Sequence, residues 1–339
     1  MPGATRLSTI LCVGLIAAAQ AQPPSEPLEE VVVTGEFPGP GMWKVTQPDA
    51  APGHTLWIVA AHPPLPKRMK WKSRDVEAVA LGSQEILLDA GVQMEPDEKI
   101  GVFRGLSLLP AVLRARKNPD EMTLRDQLPP ELYQRWLVQK KRYLGSDSGI
   151  EKWRPIFAAG KLRHEAIDDL GLRENGMVWE IVGKLAKKNK IKVTTPSLRF
   201  TFPTDGLKAK IKEFSREQLA DTDCFATTLD LIDALANTDI QDRRAHAWAT
   251  ADLETLEQLP PLPNAYLSCA TAVMSSQAAK DIVPSDIREQ LYALWIEAAE
   301  KSLASNETTL SIVPMGKLLR DDGYLARLRT KGYTIEAPK

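Results

Sequence analysis

Thr55-Leu56-Trp57-Ile58-Val59-Ala60-Ala61 is an almost unbroken apolar run, and His62-Pro63-Pro64-Leu65-Pro66 follows it at once. A run this short, rich in aromatic and β-branched side chains and halted by prolines, reads as a buried strand rather than a helix. Residues 42–46 form a strand before it, across a turn at 49–54 that contains Pro52-Gly53. Ser73 is placed to cap a helix that reaches Gly82, and residues 85–88 make another short apolar strand. The far end of the chain answers with a strand at 309–313, a helix at 322–331 and a strand at 333–336.

Between these ends the pattern is helical. Residues 104–117, 130–143, 150–170, 176–188, 208–237, 242–259 and 285–304 place apolar side chains three and four apart, with one strand at 191–194 between them. Leu229, Leu231, Ile232, Leu235 and Ala236 form a buried stripe. Strands at both ends and helices in the centre predict an α/β (α+β) fold. Its central mixed β-sheet is built from both chain ends, flanked by helices, with a helical middle insertion.

The first residues stand apart from that core. Arg6 precedes an apolar stretch from Leu7 to Ala18, and Ala19-Gln20-Ala21 supplies small residues at the spacing a signal peptidase accepts. Residues 1–21 therefore read as a secretory signal, and their apolar run is too short for a stable membrane anchor. Residues 22–40 form a Pro/Gly-rich tail, and the folded domain is expected over 41–339. Within the tail, Leu28-Glu29-Glu30-Val31-Val32-Val33-Thr34-Gly35 resembles a segment near the start of TonB-dependent outer-membrane receptors, but no barrel pattern follows. These features predict a periplasmic or secreted protein without a transmembrane segment in the mature chain.

Cleavage after Ala21 removes Arg6 and no acid, so the formal net charge moves from −1 to −2. So nearly neutral a chain offers no overall electrostatic footprint for nucleic acid or anionic lipid. The basic clusters at 66–72 and 184–190 are local and read as solvated faces. Cys224 and Cys269 are the only cysteines after residue 21, and in an oxidising compartment they read first as one disulfide. Free buried thiols are the alternative.

Common catalytic signatures are missing: there is no Gly-rich phosphate loop, His-Glu-x-x-His, Gly-x-Ser-x-Gly or Cys-x-x-Cys. Of the four histidines, His164 and His246 fall on helices and His54 opens a strand, where an exposed position is expected. His62 follows the buried strand, and the carboxyl ends of strands are where α/β sites collect. Asp89 ends another short strand and Arg288 begins a helix. The candidate pocket is therefore His62, Asp89 and Arg288, joined by Lys317 for the reason given next.

Together these pieces resemble the TraB/GumN family, which includes the Tiki-type proteases and belongs to a wider group with the erythromycin esterases. Met42-Trp43-Lys44-Val45 and Thr55-Leu56-Trp57-Ile58-Val59 are similar to its first two strands. Ser83-Gln84-Glu85-Ile86-Leu87-Leu88-Asp89 resembles the strand that ends in its acidic residue. Arg288, Tyr292 and Ile296 resemble its Arg-Asn-x-x-Trp helix, while Gly323-Tyr324-Leu325 and residues 328–336 match its closing helix and strand.

The resemblance implies a divalent metal held by two Gly-x-x-His motifs and the acidic residue, an arrangement that leaves a position open for an activated water. In this chain the first motif's glycine and histidine positions fall on Ala60 and Pro63, with His62 one residue out of register. A one-residue slip in an extended chain turns a side chain to the opposite side. The second motif's positions fall on Pro314 and Lys317, and a charged ammonium has no lone pair to donate. Asp89 stands at the acidic position, and Glu289 replaces the asparagine beside the arginine.

The reading is a degenerate family member with no metal and no cofactor, acting as a pseudoenzyme-like binding protein for an envelope protein or peptide ligand. In it, Lys317 occupies the vacated position and pairs with Asp89, because a buried carboxylate left without its cation is costly. The alternative is a hydrolase or peptidase with a rearranged site around His62, Asp89, Lys317 and Arg288, with His62 as general base and Lys317 or Arg288 as oxyanion stabiliser; it predicts that His62, Asp89 and Lys317 converge on one open cleft. A third reading links the tail to outer-membrane receptors.

Overall fold

The computed structural model describes residues 39–47, 54–62, 64–174, 176–280 and 282–338. The expected signal sequence, most of the expected tail, residues 49–53 of the turn expected at 49–54, and Pro63 lie outside these residues. Ten strands are present among them: β1 (Met42–Thr46), β2 (Thr55–Ala61), β3 (Leu65–Pro66), β4 (Glu85–Leu88), β5 (Gly91–Pro96), β6 (Leu172–Arg173), β7 (Lys192–Thr194), β8 (Ser197–Phe202), β9 (Thr308–Pro314) and β10 (Thr334–Glu336).

Six of them form the main sheet in the order β10-β1-β2-β9-β4-β7. β2, β9, β4 and β7 are mutually parallel, while β1 runs antiparallel to both β2 and β10. The sheet thus joins the first strands of the domain to the last, as the distribution of apolar runs predicts. Parallel strands are covered on both faces, which explains why β2 and β9 read as continuous apolar runs rather than alternating ones. Leu56, Ile58, Ile86, Leu87 and Leu310 are fully buried. They pack with Val76, Val182, Trp248, Trp295 and Leu303, contributed by the surrounding helices.

The helical middle has a core of its own. Trp136, Ile150, Ala158, Leu162, Phe225, Leu229 and Ile232 cluster there without a residue of the main sheet. Trp136 and Phe225 meet at 5.4 Å between ring centroids. The disulfide Cys224–Cys269 ties the helix Thr222–Leu235 to Ala265–Met274, with a Cα–Cα separation of 4.5 Å.

Three long helices expected from periodicity are divided, two of them for visible reasons. The one expected at 208–237 is two, Leu207–Phe214 and Thr222–Leu235. The buried Arg154 guanidinium donates to the carbonyl oxygens of Phe214 at 2.6 Å and Glu217 at 2.9 Å, satisfying groups that a continuing helix would use. Asp221, also buried, accepts from the Ile156 amide at 2.9 Å. The helix expected at 242–259 divides at Ala251, whose φ of 56° is left-handed, and Asp252 then caps a new helix by accepting from the Thr255 amide. The expected helix at 150–170 begins as a separate turn, Gly149–Lys152, before Pro155–Asp169. Periodicity gave no sign of the parallel ribbon β5–β8 or of the helix Ala265–Met274.

Candidate functional site at the carboxyl edge of the sheet

The parallel strands β2, β9 and β4 end side by side. Ala61 is opposite Pro314, and Leu88 is opposite Ile312. The residues that follow, His62, Met315 onward and Asp89, therefore emerge at one edge of the sheet. That edge is where side chains in an open α/β sheet are free to meet a ligand.

Asp89 is the centre of a built cluster. Pro314 ends β9 and caps the short helix Met315–Leu318, which carries Lys317 back toward β4. Its Nζ donates to Asp89 Oδ2 at 2.6 Å. Tyr324, the first residue of the helix Tyr324–Thr330, donates its phenol to Asp89 Oδ1 at 2.7 Å. The approach depends on Gly323: a Cβ there would lie 2.4 Å from the carbonyl oxygen of Lys317 and 2.9 Å from that of Arg320. Only glycine lets the chain fold so closely upon itself before Tyr324.

Aromatic packing fixes the phenol. Tyr324 is fully buried and stacks on Trp295 at 4.0 Å between centroids, with Tyr292 at 5.0 Å. Burial, and then the Asp89 carboxylate, drive the Tyr324 hydroxyl far above the usual tyrosine range, so it remains a neutral donor. Asp89 and Lys317 keep 22% and 33% of their side-chain surface exposed, so the pair meets solvent while its supports do not. Helical spacing puts Tyr292 and Trp295 on one apolar face, whereas Tyr324 enters the sequence reading only through the family resemblance. The signal that could have marked Tyr324 is the glycine before it.

Arg288 is not brought to this cluster. Its side chain is 59% exposed and reaches Asp322 Oδ2 at 3.5 Å, sharing that carboxylate with Arg320 at 2.8 Å. Glu289 forms a forked pair with Arg327, whose two terminal nitrogens donate at 2.5 and 2.8 Å. Arg327 also lies 4.7 Å above the Tyr292 ring. The first turn of the helix Ile287–Ser305 thus braces the closing helix.

His62 turns into a separate small pocket lined by Leu65, Arg173, Gly176, Met177, Val178 and Trp248. Trp248 Nε1 donates to the Ala60 carbonyl at 2.8 Å and closes the end of β2. The His62 Nε2 is buried and has no hydrogen-bond partner. Burial, reinforced by the Arg244 charge, lowers the His62 pKa to about 4, so the ring is neutral at pH 7. His54 is half-buried rather than exposed, with Nδ1 2.7 Å from the Leu303 carbonyl oxygen.

The residues at the Asp89 cluster do not fit a divalent ion. One carboxylate oxygen faces an ammonium and the other a phenol that stays protonated, and neither donor has charge or lone pairs suited to a cation. Among the described residues, no three His, Cys, Asp or Glu side chains are grouped to hold a metal.

A sheet assembled from both chain ends, with an acidic residue following β4 and a helical middle carrying its own core, defines an α/β protein with a candidate site at its carboxyl edge. Residues 41–337 match the model of the TraB/PrgY/gumN family, and the chain belongs to that family. No curated protein and no solved structure matches it. No helix among the described residues is long and apolar enough to cross a membrane.

Proposed function

We propose that this family member is an exported cell-envelope protein that binds a peptide or envelope component without catalysing a reaction. The observation that carries the reading is Lys317 Nζ, 2.6 Å from Asp89 Oδ2. In the family pattern, imidazole and carboxylate hold a cation at this edge. Here the positive charge belongs to the chain itself, and the carboxylate is neutralised without an ion. Such a site offers a fixed ammonium and a phenol-bound carboxylate to a ligand.

A signal sequence at residues 1–21, a tail at 22–40 and a domain over 41–339 support export to the periplasm or beyond. The Cys224–Cys269 disulfide favours the same compartment. The rearranged-hydrolase alternative needs His62 in one cleft with Asp89 and Lys317, whereas His62 lines another pocket.

The test is an assay of the purified chain on unfolded protein and on ester and peptide substrates, with and without added zinc, manganese or cobalt. The expected result is no turnover above the buffer rate in any condition. Turnover abolished by Asp89→Asn would overturn the reading.

A further inference from the structure

Past Asp89 the main sheet loses a strand. β4 continues through Asp89 and Ala90 into β5, and β7 continues through Thr195 and Pro196 into β8, so the parallel pair β4–β7 runs on as the parallel pair β5–β8. β9 does not follow. It stops at Pro314, turns into the short helix Met315–Leu318, and gives up the flank of β4 that it had occupied. The side of β5 away from β8 is therefore an open slot that begins at Asp89 and Lys317. The register marks the same point. Leu87 is opposite Thr194 and Gly91 is opposite Ser197, so three residues, 88–90, face two, 195–196. This bulge holds Asp89, and an extra residue of that kind bends a strand and re-aims a side chain.

The slot offers main-chain groups. Gly91 donates to the Pro196 carbonyl and Asp97 to the Phe202 carbonyl, each at 3.0 Å. With the two-residue repeat of a strand, Gly91, Gln93 and Glu95 bond β8, while the N–H and C=O groups of Val92 and Met94 point into the slot. Among the described residues nothing accepts from those two N–H groups. Val92, Gln93, Met94 and Glu95 are all exposed. Side-chain charge does not select the ligand. Glu95 and Arg199 lie on one face of the ribbon and offset each other, Asp97 is tied to Thr204, and Glu98 and Lys99 cancel beyond the strand. Val92 and Met94 share the opposite face with Leu198, Phe200 and Phe202. Donors and acceptors repeating every second residue, beside an apolar strip, match an extended chain. The helix Met315–Leu318 closes the slot at its near end, so a single segment fits where the edge of a second folded sheet would meet that helix.

We infer that this slot takes an extended peptide, which adds to β5 as a strand in the place β9 gives up, its near end at Asp89 and Lys317. The inference deepens the proposed binding role and rests on it for the kind of ligand. Recognition is by the backbone first, with apolar side chains favoured beside Val92 and Met94.

The experiment screens the purified full chain against an array of synthetic decapeptides in which apolar and polar residues alternate, then measures the tightest binder by fluorescence anisotropy. N-methylating alternate nitrogens of that peptide should weaken binding at least about tenfold in one phase and little in the other, because only one of its edges faces β5. Met94→Pro removes a free N–H without breaking the β5–β8 ladder, and should cost about tenfold at an unchanged melting temperature. Met94→Lys keeps the N–H but charges the apolar face; it should also weaken binding, and it decides the point if the proline variant melts early. Arg199→Pro, at the outer edge of β8, should leave binding unchanged. Three results would each overturn the inference: no binder on the array, a binder indifferent to N-methylation in both phases, or equal binding by the parent, Met94→Pro and Met94→Lys. So would a dimer, seen by light scattering without peptide, that Met94→Pro dissolves. Turnover in the substrate assay would defeat the non-catalytic reading alone and leave the peptide at β5.

Discussion

The two ends of β4 carry one carboxylate each, and the sequence treats them alike: an acid, a nearby lysine, a hydroxyl. Glu85 at the amino end is 5% exposed and accepts from four groups. These are Thr194 Oγ1, Lys192 Nζ at 3.0 Å, Ser302 Oγ at 3.2 Å and Asn306 Nδ2 at 2.9 Å. A carboxylate has about four lone-pair positions, and here all are used. Burial alone would raise the Glu85 pKa, but the hydrogen bonds from Thr194, Lys192 and Asn306 outweigh it and hold the group below its usual value.

Among the described residues, Asp89 at the carboxyl end accepts from Lys317 and Tyr324, and remains partly open to solvent. Half of its capacity is unspent. Glu85 is therefore a pin that ties β4 to β7 and to the helix Ile287–Ser305, whereas Asp89 retains lone pairs that a ligand can engage. The difference lies in how many donors converge, which residue types alone do not reveal.

Removing the pin should have the largest effect. Glu85→Ala leaves an ammonium, an amide and two hydroxyls facing a gap, and should cost about 3 kcal/mol in denaturant unfolding. If the loss is below about 1 kcal/mol, Glu85 is no pin and the contrast between the two ends disappears. Because its folded pKa is depressed, the Glu85 contribution is complete above the ordinary glutamate value and is lost as pH falls through the lower folded value. Glu85→Gln should remove that acid-dependent part.

A second acid effect comes from the neighbouring strand end. His62 is held neutral down to about pH 4, against 6.5 when unfolded, so its contribution is complete above 6.5 and fades as pH falls toward 4. The span corresponds to about 2–3 kcal/mol. Stability measured from pH 7 to 4 should fall by this amount in the parent and stay flatter in His62→Gln. Identical profiles would place the ring in water.

Smaller changes follow at the open end. Tyr324→Phe removes a buried donor from Asp89 and should cost about 1–2 kcal/mol. Lys317→Met should cost no more than about 1 kcal/mol, because the pair is partly solvated. A larger loss at Lys317 than at Glu85 would reverse the assignment of pin and site.

The legibility of the sequence follows the same physics. Strands β2, β4 and β9 are buried on both faces, so their apolar runs announce them. The ribbon β5–β8 leaves Val92 and Met94 exposed, and its residues carry no buried-strand pattern. The break in the helix expected at 208–237 escaped because it depends on Arg154 and Asp221, whose partners are distant along the chain. At the site, the resemblance placed Lys317 on Asp89, and the structure puts the two within hydrogen-bond distance. It gave no role to Tyr324, since a buried aromatic at a helix start looks like core until its hydroxyl is seen. Arg288 stands in the family's helix pattern, yet the first turn of that helix faces solvent, and spacing alone cannot tell a clamp from a surface residue.

The most direct test of the internal cation is elemental analysis of the purified chain, joined to its melting temperature with excess zinc, manganese or cobalt. A ligand that binds the folded state must stabilise it. The expected result is no stoichiometric metal and no rise in melting temperature with any of the three ions. One equivalent of bound metal, or a rise that Asp89→Asn abolishes, would contradict the account.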